Sequence, residues 1–127
     1  MTKILIVDDD MHVTNLLGKV LSAEGYETTA VNDSSKVIEV AVSINPDLVI
    51  LDLMMPQPDG FKVCRMLRED PNFFYTPILI VTALDDSDSR ALAFTAKASD
   101  YLTKPINLDK LTLTIKELLD KADRLIT

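Results

Sequence analysis

The sequence predicts an α/β protein in which helices cover both faces of a parallel β-sheet. Short, continuously apolar runs alternate along the chain with segments whose apolar residues recur at helical spacing. Strict alternation of this kind favours parallel strands joined by right-handed crossovers. Acidic, hydroxyl or basic residues stand at the ends of four of the apolar runs. Because parallel strands end at one edge of a sheet, these residues are expected to meet where open α/β folds bind their ligands.

The first unit of the chain is a buried strand followed by an amphipathic helix. The segment of residues 3–8 is short, apolar and rich in β-branched side chains, which is typical of a strand covered on both faces. Asp10 is placed to cap the helix, and Glu24-Gly25 is placed to end it. The residues expected on the inner face of this helix are Val13, Leu16, Leu17, Val20 and Leu21.

The middle of the chain predicts two more strands and a helix between them. Residues 26–31 form a weaker strand, and the turn Asn32-Asp33-Ser34 can cap a helix that runs to about Asn45-Pro46. Residues 47–52 form the third strand. The proline and glycine in residues 54–60 predict a loop after it.

The rest of the chain predicts three helices and two strands. A helix over residues 61–70 precedes a strand over 77–82, and the acidic segment 85–88 caps a fourth helix. Residues 100–102 form a short fifth strand, and the last helix ends at about Leu125. The inner face of the fourth helix is expected from Leu92, Phe94 and Ala96. That of the last helix is expected from Leu108, Leu111, Ile115, Leu118, Leu119 and Ala122.

Composition limits the classes of protein to which the chain can belong. Its 127 residues, 47% of them hydrophobic, are enough to bury one core, so we expect residues 1–127 to form one domain. The net charge of −7 argues against nucleic-acid contact, which requires a basic surface. No apolar run approaches the roughly 20 residues of a membrane span, and no signal-peptide pattern is present. We therefore expect a cytoplasmic location without membrane contact.

The residues at the strand ends define a candidate site. Asp8 and Asp9 follow the first strand, Asp52 ends the third, Thr82 ends the fourth and Lys104 follows the fifth. Three carboxylates at one edge repel each other unless positive charge lies among them. Such a cluster favours a divalent cation with oxygen ligands, together with the ammonium group of the lysine.

Four motifs occur in order along the whole chain. They are Ile-Leu-Ile-Val-Asp8-Asp9-Asp10, Pro46-Asp-Leu-Val-Ile-Leu-Asp52-Leu-Met-Met-Pro56 with Asp59-Gly60, Pro77-Ile-Leu-Ile-Val-Thr82-Ala83, and Asp100-Tyr-Leu-Thr-Lys104-Pro105. In this order and spacing they resemble the receiver domain of two-component response regulators, in the CheY-like superfamily. The resemblance implies a flavodoxin-like (βα)5 fold with strand order 2-1-3-4-5.

The resemblance also implies the chemistry of the site. Asp52 would be the phosphoacceptor, while Thr82 and Lys104 would neutralise the phosphoryl oxygens. The ligands of Mg2+, or of Mn2+ in its place, would be Asp8, Asp9, Asp52 and the backbone carbonyl of Met54. The side chains of Met54 and Leu84 would flank the path of a hydrolytic water. The protein would catalyse its own phosphorylation and dephosphorylation. We therefore do not expect it to be an enzyme that turns over a substrate.

Thr82 and Tyr101 match the switch pair of the family. The resemblance implies that phosphorylation draws the hydroxyl of Thr82 inward and that the Tyr101 ring follows, which changes the surface of the fourth helix, fifth strand and fifth helix. The implied partners are a sensor histidine kinase or histidine phosphotransfer protein and a downstream effector or output domain. Homodimerisation through this surface is also allowed. The domain is expected to act alone or as the leading part of a longer chain.

Two positions depart from the pattern of the family. Lys97-Ala98 stands where glycine-alanine is common, so either the fourth helix ends without a left-handed cap or Lys97 itself adopts positive φ. Pro58 replaces a common methionine or leucine, which should stiffen the loop beside Asp52.

Three other functions compete with this interpretation. A phosphohydrolase of the haloacid dehalogenase type needs an acid two residues after its nucleophile, and Met54 occupies that position. A flavin-binding protein needs a phosphate loop after the first strand, where three acids would repel the FMN phosphate. A pseudo-receiver that serves only for docking would not need the reactive positions, which are all intact.

Overall fold

A computed structural model describes residues 1–126, with side chains described through Arg124. The described strands are β1 (Lys3–Val7), β2 (Glu27–Val31), β3 (Leu48–Leu51), β4 (Ile78–Thr82) and β5 (Asp100–Thr103). The described α-helices are α1 (Met11–Ala23), α2 (Val37–Ile44), α3 (Gly60–Glu69), α4 (Ser87–Thr95) and α5 (Leu108–Ile126). None of these helices is both long and apolar enough to cross a membrane.

The sheet has the expected topology. All of its strand pairs are parallel, and their spatial order is β2-β1-β3-β4-β5. Val7 at the end of β1 pairs with Val31 on one side and with Leu51 on the other. The order reverses between β1 and β3, so the residues that follow these two strands lie at the topological switch point of the sheet.

The helices form a layer on each face of the sheet. Ile4 and Ile6 pack with α1 and α5, whereas Leu5 and Val7 pack with α2, α3 and α4. The alternation follows from the period of two residues along a strand. A strand buried on both faces must be apolar throughout, which explains why β1, β3 and β4 read as continuous apolar runs.

Aspartates cap the starts of several helical segments. Asp10, Asp59 and Asp86 accept hydrogen bonds from the first-turn amides of α1, α3 and α4, as such acids commonly do. Asp33 behaves differently from the sequence prediction. Its side chain caps the 3-10 turn Ser34–Lys36, and α2 begins only at Val37. The short side chain of Asp33 accepts a hydrogen bond from the amide of Ser35, which favours a 3-10 turn before α2 begins.

The inner face predicted for α4 was wrong in two of its three residues. Leu92 and Phe94 are 56% and 80% exposed, and Ala96 is buried as expected. Ser89 and Ala93 complete the inner stripe, so this helix packs through small side chains. Small residues carry little weight in a pattern based on hydrophobicity, which explains the error.

Two other residues predicted on inner faces are substantially exposed. Leu16 of α1 is 48% exposed, because the buried stripe of this helix runs through Thr14, Leu17 and Leu21 and Leu16 lies beside it. Leu108 is 38% exposed at the first residue of α5, where little of the chain covers it. The remaining core of these two helices follows the prediction, through Leu17 and Leu21 of α1 and the central residues of α5.

Lys97 adopts the second of the two conformations left open by the sequence. Its φ is 68°, so it occupies the left-handed position that glycine more often fills. Two side chains of α3 hold this end of α4. Cys64 Sγ donates to the carbonyl of Ala96 at 3.3 Å, and Arg68 Nε donates to the carbonyl of Lys97 at 2.8 Å. Burial raises the pKa of the Cys64 thiol to about 11, in keeping with a structural role in the core.

Candidate functional site

Backbone hydrogen bonds fix the residues that follow the strands. The amide of Asp8 donates to the carbonyl of Val31 at 3.2 Å, and the amide of Asp52 donates to that of Val7 at 3.0 Å. The amide of Lys104 donates to the carbonyl of Thr82 at 2.8 Å. Asp8, Asp52 and Lys104 are therefore each held by the last carbonyl of a neighbouring strand. This extension of the sheet brings side chains that are distant in sequence to one edge.

Lys104 bridges two of the three predicted acids. Its Nζ lies 2.8 Å from Asp8 Oδ2 and 3.2 Å from Asp52 Oδ2. The Asp8 and Asp52 side chains are only 4% and 5% exposed, and that of Lys104 is 21% exposed. Charges in such a sheltered place interact more strongly than surface pairs, because less water screens them.

Asp9 completes the acidic cluster from the solvent side. Carboxylate oxygens of Asp8, Asp9 and Asp52 lie within 4.8 Å of one another, and Asp9 is exposed. Grouped carboxylate oxygens are the ligands that Mg2+ and similar hard cations prefer. The donor set therefore fits the cation that was expected from the sequence.

Met54 lies beside the acids through its backbone. Its amide donates to Asp52 Oδ1 at 3.2 Å. Its side chain is 52% exposed, whereas that of Met55 packs against the core. The amide of Met54 therefore anchors the start of this loop to the acidic cluster, and the Met54 side chain is exposed to solvent.

The pKa values of Asp8 and Lys104 reflect their crowded surroundings. Burial raises the pKa of Asp8, and the hydrogen bonds from Lys104 and from the amide of Asp10 offset this only in part. Burial alone would lower the pKa of Lys104, but the hydrogen bond to Asp8 and the negative charge of Asp52 outweigh it, so the pKa is raised. Lys104 therefore stays positively charged, and the charge on Asp8 is held at a cost in stability.

Thr82 and Tyr101 both bond to the backbone of Leu84, one to its amide and the other to its carbonyl. Thr82 is fully buried, and its hydroxyl oxygen accepts a long hydrogen bond of 3.5 Å from the amide of Leu84. The hydroxyl of Tyr101 donates to the carbonyl of Leu84 at 2.7 Å. Arg90, which the sequence analysis did not single out, lies 4.6 Å above the Tyr101 ring and pairs with Asp85 at 2.8 Å.

Gly60 allows α3 to begin directly against the phosphoacceptor candidate. A Cβ atom at this position would overlap the carbonyl oxygen of Asp52 and the backbone of Leu53. The amide of Gly60 also donates to the carbonyl of Leu53 at 3.1 Å. Only glycine permits this close approach, which fixes the loop of residues 54–59 at both of its ends.

The comparisons with known proteins identify the family. Residues 4–116 match the family model described as the response regulator receiver domain. The chain belongs to this family, whose members are receiver domains of two-component signalling systems.

Relatives and solved structures agree with this assignment. The chain is 38% identical over 125 residues to the DNA-binding dual master transcriptional regulator RpaA of Synechocystis sp., covering 98% of this chain and 52% of RpaA. It is 42% identical over 105 residues to the response regulator PleD of Caulobacter vibrioides, covering 83% of this chain and 23% of PleD. The chain thus spans about half or less of these relatives.

Two solved structures extend the comparison to the fold. A putative response regulator from Chloroflexus aurantiacus superposes with a TM-score of 0.89 at 34% identity, covering 94% of this chain and 98% of that one. The BeF3-activated receiver domain of RstA from Klebsiella pneumoniae gives a TM-score of 0.87 at 31% identity, covering 93% and 98%.

Replacing Asp8 by asparagine should stabilise the protein in the absence of divalent cations. Because burial raises the pKa of Asp8 above 3.8, its ionisation lowers the free energy of unfolding at neutral pH. This loss is complete above the raised pKa and disappears as the pH falls below 3.8. Asp8→Asn should raise the unfolding temperature in EDTA at pH 7 by a few degrees, since about 1 kcal/mol corresponds to roughly 4 °C at this size. The gain should shrink toward pH 4.

The control for this comparison is Asp10→Asn, because asparagine caps a helix about as well as aspartate and Asp10 lies outside the acidic trio. Its unfolding temperature should stay close to that of the wild type. A lower unfolding temperature for Asp8→Asn at pH 7 would mean that the ion pair with Lys104 outweighs the burial of the carboxylate.

Proposed function

We propose that this chain is a phosphoacceptor switch in which Asp52 receives a phosphoryl group from a phosphohistidine. The observation that carries the proposal is the position of Asp52, which is sheltered at the topological switch point with Lys104 Nζ 3.2 Å from its carboxylate and two further acids beside it. Residues 1–127 would act as one receiver unit. The donor would be a sensor histidine kinase or a histidine phosphotransfer protein.

The proposed reaction is an in-line transfer between two side chains. A carboxylate oxygen of Asp52 forms a bond to phosphorus while the bond from phosphorus to the donor histidine nitrogen breaks, and the imidazole that leaves takes up a proton. Lys104 lies close enough to neutralise charge on the transferred group, and the Thr82 hydroxyl would donate to one of its oxygens. The product is an acyl phosphate on Asp52. The protein would undergo this reaction once per signal and would not turn over a substrate.

A divalent cation, Mg2+ in the first instance, fits the acids of this site. Asp8, Asp9, Asp52 and the carbonyl of Met54 would hold it. When bound, it would supply positive charge to the phosphoryl oxygens and offset the repulsion among the carboxylates. Lys104 is the only side-chain cation that forms an ion pair with these acids in the described part of the chain. One positive charge against three negative charges leaves a deficit that the cation would fill.

The proposed output surface consists of α4, β5 and α5. Tyr101 at the start of β5 is connected to the site through the peptide groups of Leu84. A groove of about 220 Å³ beside Tyr101 is lined by Arg90 and the exposed Phe94, among others. An effector or output domain would bind there in response to phosphorylation. With a net charge of −7, these residues are not expected to contact nucleic acid themselves.

Phosphorylation should occur at Asp52 alone and should require Mg2+. Incubation with acetyl phosphate in Mg2+ should add one phosphoryl group to the wild type by intact-mass analysis. The modification should be absent from Asp52→Asn and from wild type in EDTA, because the first lacks the nucleophile and the second lacks the charge that the transfer needs. Asp59→Asn is a matched control, since it keeps the cap of α3 and should be labelled like the wild type. Undiminished labelling of Asp52→Asn would contradict the assignment of Asp52 as the phosphoacceptor.

The lifetime of the acyl phosphate should depend on two apolar side chains. Hydrolysis needs a water aligned opposite the Asp52 oxygen, and we propose that Met54 and Leu84 flank its path. Met54 lies two residues after Asp52 with its side chain exposed at the site entrance, and Leu84 packs partly against the core beside Thr82. Leu84 has no hydrogen-bonding atom and the thioether of Met54 is only a weak acceptor, so neither side chain orients a water well. A comparatively long-lived phosphorylated state follows.

Polar replacements at these positions should shorten that lifetime. Met54→Asn or Leu84→Glu should speed dephosphorylation by about tenfold, equivalent to about 1.4 kcal/mol, because each offers a hydrogen bond to the attacking water. The rate is measured by intact mass after the phosphodonor is removed, at fixed Mg2+ and pH. Met54→Leu should behave like the wild type. If the wild type loses its phosphoryl group as fast as both polar variants, the side chains of Met54 and Leu84 do not keep water from the acyl phosphate.

A further inference from the structure

The segment that joins β2 to α2 contacts both of the loops that carry the acids. Asn32 Nδ2 donates to the carbonyl of Asp8 at 2.9 Å and to Thr14 Oγ1 at 3.0 Å. Ser34 Oγ donates to the carbonyl of Pro56 at 3.1 Å. Neither Asn32 nor Ser34 belongs to the acidic cluster. From sequence, these residues were interpreted only as part of a turn.

The hydrogen bond from Asn32 acts on the peptide between two acids. The carbonyl of Asp8 belongs to the peptide group that links Asp8 to Asp9, so its direction sets how the two side chains stand relative to each other. The amide of Asp8 and both of its carboxylate oxygens are already bonded elsewhere, to Val31, Asp10 and Lys104. Within the described part of the chain, Asn32 is the donor to the remaining oxygen of Asp8, its backbone carbonyl.

The other contacts of Asn32 make this arrangement rigid. Thr14, which accepts from the same amide nitrogen, is buried in α1 and donates its own hydroxyl to the carbonyl of Met11. Asn32 is therefore held between the end of β1 and the first turns of α1. A side-chain amide in this position has few other rotamers with comparable hydrogen bonds.

Ser34 performs the equivalent role on the loop after Asp52. Its side chain is largely buried, with the residue 8% exposed, and its hydroxyl reaches the middle of the loop of residues 54–59. The two ends of that loop are held by Asp52 and by Gly60. The bond to Pro56 adds a third point of attachment between those ends. One short segment thus ties together the loops that follow β1 and β3.

We propose that Asn32 and Ser34 are positioning residues that set the affinity of the acidic cluster for a divalent cation. They act by holding the two acid-bearing loops in register before the cation binds. The proposal rests on the proposed function, since it assumes that Asp8, Asp9 and Asp52 bind Mg2+. Groups that orient metal ligands without touching the metal commonly contribute about 10- to 100-fold to affinity.

The test is a titration of each protein with Mg2+, followed by the amide chemical shifts of residues 8–10 and 52–54. Asn32→Leu, which keeps a similar shape without the donor, should bind Mg2+ about tenfold more weakly. Ser34→Ala should weaken binding several-fold, and Ser34→Thr should restore it by keeping a hydroxyl. Ser35→Ala is the matched control, because within the described residues the exposed Ser35 hydroxyl bonds only to Asp33, so affinity should not change.

Thermal unfolding of the same variants in EDTA separates positioning from simple structural support. If Asn32→Leu and Ser34→Ala unfold at lower temperature but bind Mg2+ as tightly as the wild type, the proposal is overturned. A loss of affinity in Ser35→Ala equal to that in Ser34→Ala would overturn it as well. Should Asn32→Leu fail to fold, the comparison of Ser34→Ala with Ser35→Ala decides the question. Failure of the wild type to bind Mg2+ at millimolar concentration would instead contradict the proposed cation site itself.

Discussion

The bridge from Lys104 to Asp8 and Asp52 is the interaction on which the rest of the site depends. Parallel strands bring their carboxyl ends together whatever residues follow them, so acids placed there must lie near one another. Burial makes the charge of Asp8 costly, as its raised pKa indicates, and the single ammonium group of Lys104 offsets only part of that cost. The acids at this edge lower the stability of the protein. They also supply negative charge that can bind a cation and a carboxylate that can react. The apolar strands and their two helical layers supply the stability that makes this tolerable.

The region beyond Thr82 has a different character from the rigid sheet edge. The α4 helix packs on its neighbours through serine and alanine, so it buries less apolar surface than α1 or α5. Its C-terminal end is nevertheless held by Cys64 and Arg68 of α3. Its N-terminal end follows the Leu84 peptide groups, which contact both Thr82 and Tyr101. A shift in the proposed switch would therefore act on the end of α4 nearest the site, with the far end as the fixed point.

Residues whose position follows from the local sequence pattern were predictable from sequence, and contacts between neighbouring loops were not. The strands and the positions of Asp8, Asp52 and Lys104 followed from apolar runs and from what stands at their ends. The exposed faces of Leu92 and Phe94 were missed because small residues fill the inner stripe of α4. Asn32 and Ser34 were missed because their partners are backbone carbonyls of other loops, which leave no pattern in the sequence. Their location just after β2, at the same sheet edge as the acids, was the one available signal.

We propose that charge at Asp52 is transmitted through Thr82 and Tyr101 to the surface of α4, β5 and α5. The most direct measurement is the change in backbone amide chemical shifts when beryllofluoride and Mg2+ are added to the wild-type protein. We expect chemical-shift changes that run from residues 8–10 and 52–60 through Thr82 and Tyr101 into residues 86–110, and that are lost in Asp52→Asn. Changes confined to residues 8–10 and 52–60 would contradict it, because the acidic site would then accept a phosphoryl group without altering the proposed output surface.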